Sequence, residues 1–210
     1  MCDKFVVFDH VQAMRGKSWF TRNRILLNGN PVWLTMPIEK KGKSIQKISD
    51  AKINYSSNFK RKHLGTLRQA YMRTQYFNEV FPVIEELYSK QFQRMSDFNV
   101  SFLTNVCAKL GIDTCFAFSS QMEDLSAGGS QLVLDICRKA GANVYISGSG
   151  CMDFIEPNSF EREGIKFTFQ RFTQPVYKQI NNAEFVSHLS VLDALFNVGV
   201  NGVKEMIENC

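Results

Sequence analysis

The sequence has little of what metal and redox centres are built from. Its 210 residues hold three histidines and six cysteines. No two cysteines form a C-x-x-C pair, and no histidine stands at a zinc-finger spacing from them, which argues against structural zinc. Cys2, Cys107, Cys115, Cys137, Cys151 and Cys210 therefore read as reduced thiols. Cys107 and Cys137 sit in apolar helical patterns. Cys151, just after a Gly/Ser turn, is the candidate for a reactive thiol. The opening run Met1-Cys2-Asp3-Lys4-Phe5 has no basic segment leading into a long apolar one, so no signal peptide is expected. No stretch approaches the ~20 apolar residues of a membrane span, and the expectation is a cytoplasmic protein. Repeats and low-complexity tracts are also missing. At 44% hydrophobic and 21% charged residues, the composition excludes a disordered tail, a collagen-like rod and a disulfide scaffold.

What is present is an uneven charge. The net value of +5 conceals its distribution. Residues 15 to 73 hold 14 Lys/Arg against only Glu39 and Asp50, a net of +12, whereas residues 74 to 210 carry a net of −6. A block this one-sided implies an anionic partner, or a basic half docking on an acidic half of the same chain.

The hydrophobic pattern predicts an α/β fold in one domain over residues 1 to 210. Lys4 to Phe8 reads as a buried strand. Arg24 to Leu27 and Val32 to Thr35, joined through Asn28-Gly29, read as a hairpin, because Asn-Gly supplies the positive φ angles of a primed turn. Ile45, Ile48 and Ile53 suggest a third strand. Residues 58 to 111 form a helical subregion: helices over 59 to 75, through Val80 to Phe92 with Pro82 in the first turn, and from Ser96 to Gly111. Strands at 112 to 118, 143 to 147 and 165 to 169 alternate with helices at 130 to 140 and 158 to 163, which indicates a mostly parallel sheet. Ser190 to Val198 and Val203 to Asn209 read as helical.

Four places could carry chemistry. Trp19, Arg22, Asn23 and Arg24 combine an aromatic that can stack with two guanidinium forks suited to phosphate. On the helix from Phe59, Lys60 and His63 fall within the apolar stripe while Arg61 and Lys62 point away; an inward imidazole can act as acid or base. Tyr145 to Asp153 places Ser147, Gly148 and Gly150 at the carboxyl edge of a parallel strand, where α/β folds bind ligands. It is neither a P-loop nor a G-x-G-x-x-G turn. Finally, Gln179 and Asp193 form a polar pair, and Asp193 lies in an apolar helical run where a carboxylate must find a partner, such as a basic residue of the 15–73 block.

These segments together resemble a known family. Asp3 to Gln12, Ser18 to Arg24, Leu34 to Pro37, Lys62-His63 with Gln69-Ala70-Tyr71 and Tyr76-Phe77, Tyr145 to Gly150, Pro175 to Gln179 and Leu189 to Asp193 are similar to the WbqC-like family, in order along nearly the whole chain. The family is associated with bacterial surface-polysaccharide (O-antigen) gene clusters. The resemblance implies a transferase of acyl or aminoacyl type acting on a nucleotide-linked amino sugar. Catalytic roles then fall to His63, Lys60 and Asp193. Substrate contacts fall to Gln12, Trp19, Arg22, Asn23, Arg24, Tyr71, Ser147, Gly148, Gly150 and Gln179. Members of the family usually begin earlier, so their first strand would be absent here. His10 stands where an acidic residue is common, which weakens a metal role for Asp9. No metal is expected, no cofactor is specified, and self-association is left open. Two other readings are a nucleic-acid or protein-interaction module using the basic 15–73 surface, and an adenylate-forming nucleotidyltransferase.

Overall fold

The computed structural model describes residues 2–13, 18–39, 46–126, 128–181 and 184–209. The chain divides into two compact units. It begins in the first, builds the second from Val11 to Ile112, returns to the first over Asp113–Thr173, and finishes in the second from Gln174.

The second unit starts with the expected hairpin, β2 (Arg22–Leu27) against β3 (Asn30–Thr35). Asn28 and Gly29 take φ values of 50° and 75°, the left-handed pair that a two-residue primed turn demands. Three helices follow: α1 (Phe59–Tyr71), α2 (Phe77–Ser89) and α3 (Met95–Leu110). On α1 the residues Phe59, His63, Leu67, Ala70 and Tyr71 are buried, while Arg61 and Lys62 are exposed. The apolar spacing of this helix therefore decides which face packs inward. The main core gathers Ile25, Leu67, Tyr71, Phe81, Ile84, Leu195 and Phe196. Each such side chain contributes roughly 1.5–3 kcal/mol by leaving water. A second cluster joins Met36, Ala51, Ile53, Phe59 and Met95.

Several boundaries differ from the sequence reading. Helix α1 stops at Tyr71 rather than at 75, because the Thr74 amide and hydroxyl both donate to the Tyr71 carbonyl, at 2.9 and 2.7 Å, and tighten the final turn. Helix α2 ends at Ser89, and Pro82 lies in its second turn, not its first. Among the described residues the isoleucines form no third strand. Ile48 opens a 3-10 turn, Ile53 makes one isolated bridge with Ile38, and Ile45 lies outside the described residues. Gly111 ends α3 in the left-handed region, as its place after Leu110 predicts.

The first unit is built on parallel pairs: β1 (Lys4–Val7) beside β4 (Cys115–Phe118), and β5 (Val144–Ser147) beside β6 (Lys166–Phe169). Two helices, α4 (Gly129–Lys139) and α5 (Pro157–Arg162), accompany them. The fold class is thus α/β with parallel pairing and an N-terminal hairpin, the strands falling into two-stranded sheets among the described residues. Strand β1 is less buried than its apolar run suggests, with Phe5 exposed. Leu134, Cys137, Ile155, Phe160 and Ile165 form the core of this unit, and Tyr145 stacks on Phe160 at 5.2 Å. Burial pushes the Cys137 thiol up to about 11, which makes it inert at neutral pH. Among the described residues no helix is long and apolar enough to cross a membrane.

The last helix, α6 (Val191–Glu208), is broken at Gly199, whose φ is 72°. This break divides the two helical stretches read from the sequence. A Cβ here would meet three atoms of the Tyr76 ring at 2.5–2.9 Å. Gly199→Ala is therefore expected to destabilise the protein by at least about 2 kcal/mol, from backbone strain plus overpacking. Chemical denaturation of the variant checks this.

Candidate functional site

The hairpin carries an exposed cluster of two tryptophans and two arginines. Ser18 starts it: the Ser18 hydroxyl accepts from the Phe20 amide at 3.2 Å, and its carbonyl accepts from the Thr21 amide at 3.1 Å. This turn sends Phe20 into the core against the Met36 cluster and leaves Trp19 outside, 61% exposed. In the hairpin register Arg24 stands opposite Trp33, so the two side chains share a face with Arg22. Trp33 is 40% exposed and its ring lies 5.0 Å from that of Trp19. The Arg22 guanidinium sits over Trp33 at 3.8 Å, and Arg24 lies 5.6 and 5.5 Å from the two indoles.

The two arginines differ in what they bond. Arg24 donates through Nε and Nη2 to the His188 carbonyl, at 3.2 and 2.9 Å. The Arg22 Nε is buried and has no hydrogen-bond partner among the described residues. A buried donor without an acceptor costs about 1–3 kcal/mol, and more when the group is charged. Stacking on Trp33 does not offset this, because cation–π attraction supplies no acceptor. An anion at the outer edge of the guanidinium would offset the charge.

Behind the hairpin lies a buried polar network. Asp193 is wholly buried. Its Oδ1 accepts from the Tyr71 hydroxyl at 2.7 Å, and its Oδ2 accepts from the Tyr177 hydroxyl and the Gln179 amide, both at 2.9 Å. The Tyr71 oxygen accepts in turn from the Leu26 amide of β2 at 3.0 Å. Burial, then the Asp193 charge, raises both tyrosine hydroxyls well above their ordinary titration range. The expected basic partner of Asp193 is thus replaced by three neutral donors. Tyr71, Gln179 and Asp193 are brought together, but they spend these groups on one another and on the backbone.

The other expected residues have partners or settings of their own. His63 is buried; its Nε2–H donates to the Thr35 carbonyl at 3.1 Å, so its Nδ1 accepts from the Tyr88 hydroxyl at 2.9 Å. Lys60 donates at 2.6 Å to the Lys90 carbonyl at the end of α2, where a cation is favoured, and burial lowers its pKa. Gln12 is exposed and makes an isolated bridge with Lys47. The Asn23 side chain accepts from the Arg24 amide at 2.8 Å. Ser147, Gly148 and Gly150 belong to the first unit; Ser147 is buried and the two glycines are exposed. Among the described residues no group of three or more His, Cys, Asp or Glu could hold a metal ion.

Comparison with known proteins gives the family. The family model described as the WbqC-like protein family matches residues 1–205. The chain belongs to the WbqC-like family. It is also similar to an uncharacterized protein of Mycobacterium tuberculosis, Rv1507c, at 30% identity over 199 residues, covering 94% of this chain and 84% of that protein. No solved structure matches it.

Sequence reasoning missed two features of this WbqC-like chain. Trp33 escaped notice because it lies on the strand opposite the arginines, eleven residues from Arg22; only the Asn-Gly turn signals that the two strands pair. The second feature joins the carboxyl ends of β1 and β4. The Asp9 carboxylate accepts from the Ser120 amide and hydroxyl at 2.8 and 2.7 Å, and the Ser119 hydroxyl lies 2.7 Å from His10 Nδ1. The signal available was a polar dipeptide directly after each apolar run.

Two outcomes are expected. Asp193→Ala leaves the Tyr71 and Tyr177 hydroxyls and one hydrogen of the Gln179 amide without acceptors, and costs about 3 kcal/mol or more in urea unfolding. Burial holds the His63 pKa below its ordinary 6.5, so the unfolded chain takes up the proton first as pH falls. The stability from neutral His63 is complete above that value and declines as pH drops through it. Comparing thermal melts of wild type and His63→Gln across this range checks it: the variant loses that component of the slope.

Proposed function

We propose that this protein is a transferase that modifies a nucleotide-linked amino sugar, with the hairpin cluster as its nucleotide-sugar site. The observation that carries the ligand is Arg22: a guanidinium stacked on Trp33, its Nε buried and unpartnered, beside an exposed Trp19. Two indoles offer faces for a base or sugar ring, and the Arg22 guanidinium suits a phosphate beside them, with the Arg24 charge close by although its Nε and Nη2 are held on the His188 carbonyl. What supports the reaction class, acyl or aminoacyl transfer in surface-polysaccharide synthesis, is the family resemblance.

A nucleic-acid module would spread its cations over one open face and track a backbone of many phosphates. Here the two arginines converge on one tryptophan pair, which favours a small ligand. Among the described residues of the basic block, Arg68 pairs with Glu85 at 3.0 Å.

Trp19 and Trp33 are the two tryptophans of the chain, so indole fluorescence reports on this cluster. UDP- and dTDP-linked amino sugars should quench it. Arg22→Ala should weaken that binding by roughly tenfold or more, the worth of about 1.4 kcal/mol. Absence of quenching across the panel, or quenching by random RNA with a steep salt slope instead, rejects the reading.

A further inference from the structure

We infer that His188 is the proton-accepting residue beside the hairpin cluster, taking the proton of the sugar's amine as that amine is acylated; this rests on the transferase reading above. Five observations lead to it. His188 has a φ of 59°, a left-handed conformation uncommon for residues with a Cβ, although histidine enters it more readily than most. Both of its backbone polar groups are fixed: the amide donates to Gln174 Oε1 at 2.9 Å, and the carbonyl accepts the paired donors of Arg24. The residues around it are held as well. Gln179 bonds both the amide and the carbonyl of Val186, at 2.8 and 2.9 Å, and the Ser190 amide donates to the Arg24 carbonyl at 2.8 Å.

The ring itself is exposed, and its Nδ1 lies 2.7 Å from the Ser187 hydroxyl. That contact occupies one nitrogen and leaves Nε2 without a hydrogen-bond partner among the described residues. The guanidinium that grips the His188 carbonyl is the one beside Trp19 and Trp33. His63, the other histidine of this unit, is buried with both nitrogens engaged and offers no such atom.

A packing role explains none of this. An exposed ring buries little, and Asn or Gly would accept the left-handed backbone at less cost. Strain held in place by surrounding bonds is a feature of sites where a side chain must be presented.

The step balances as follows. The amine nitrogen of the bound sugar attacks the carbonyl carbon of an activated acyl ester, oxygen- or sulfur-linked, and a C–N bond forms. The ester bond breaks with its electron pair on the leaving oxygen or sulfur. In this step the ring carries its proton on Nδ1, donated to the Ser187 hydroxyl, so Nε2 holds the lone pair; the amine proton passes to Nε2 and from there to the leaving group, which returns the ring to neutrality.

The test uses the full chain with ring-15N-labelled histidine. There are three histidines, and the His188 signals are assigned by their loss in His188→Asn. UDP-glucosamine and UDP-glucose are added while tryptophan quenching reports occupancy. UDP-glucosamine is expected to shift the His188 Nε2 resonance and leave His63 in place, and to bind several-fold more tightly than UDP-glucose. His188→Asn is expected to bind the two alike and to melt at or above the wild-type temperature. Quenching with unmoved His188 signals overturns this inference alone. So does a His188→Asn variant that melts well below wild type, since that marks a structural residue. No quenching by either sugar overturns the transferase reading beneath it, and this inference with it.

Discussion

The Asp193 carboxylate organises the second unit. It is wholly buried and accepts from three neutral donors on two separate stretches of chain. One donor, Tyr71, belongs to α1 and passes the contact on to the Leu26 amide of the hairpin. Another, Gln179, holds Val186 and so fixes the segment that leads to His188. A charge in a low-dielectric interior strengthens every bond made to it and penalises every one left unmade. The hairpin, the first helix, the last helix and the segment before it are therefore locked to one point.

That lock is what lets the outer face of the hairpin be poorly satisfied. Trp19 and Trp33 stay exposed, and Arg22 keeps a buried donor with no acceptor. Such features cost stability, and they persist because the inner face is held by core packing and by the Asp193 network. The same division separates Arg24, whose guanidinium is tied to the His188 carbonyl, from Arg22, whose Nε finds no acceptor among the described residues. A rigid support with an unsatisfied surface is the arrangement that a preorganised binding site requires.

The first unit follows the same logic with smaller parts. Asp9 and Ser119 are buried at the carboxyl ends of β1 and β4, and their hydrogen bonds join the two strand ends. The Ser119 hydroxyl also takes the amide of Asp9 at 3.0 Å. Strands only four residues long bring few ladder bonds, so side chains at their ends supply the remainder.

Local pattern was enough to determine much of this protein. The Asn-Gly dipeptide predicts the hairpin, the 3.6-residue spacing predicts which face of α1 is buried, and Gly111, Gly141 and Gly164 mark the chain reversals, all with positive φ. These depend on a few neighbouring residues, so the sequence carries them directly. The charge asymmetry was legible by counting, whereas the register that sets Arg24 opposite Trp33 was missed. Tertiary structure decided the rest. Asp193, expected beside a basic residue, is met by Tyr71 and Tyr177, because donors 122 and 16 positions away in the chain fold against it. His63 and Lys60 share a helix face as predicted, yet one is enclosed by Tyr88 and Thr35 and the other ends on the Lys90 carbonyl. The left-handed backbone at His188 is bracketed by bonds from Arg24 and Gln174, which lie elsewhere in the chain. Long-range hydrogen bonds determine which polar groups are used up and which remain open, and a one-dimensional pattern holds no record of them.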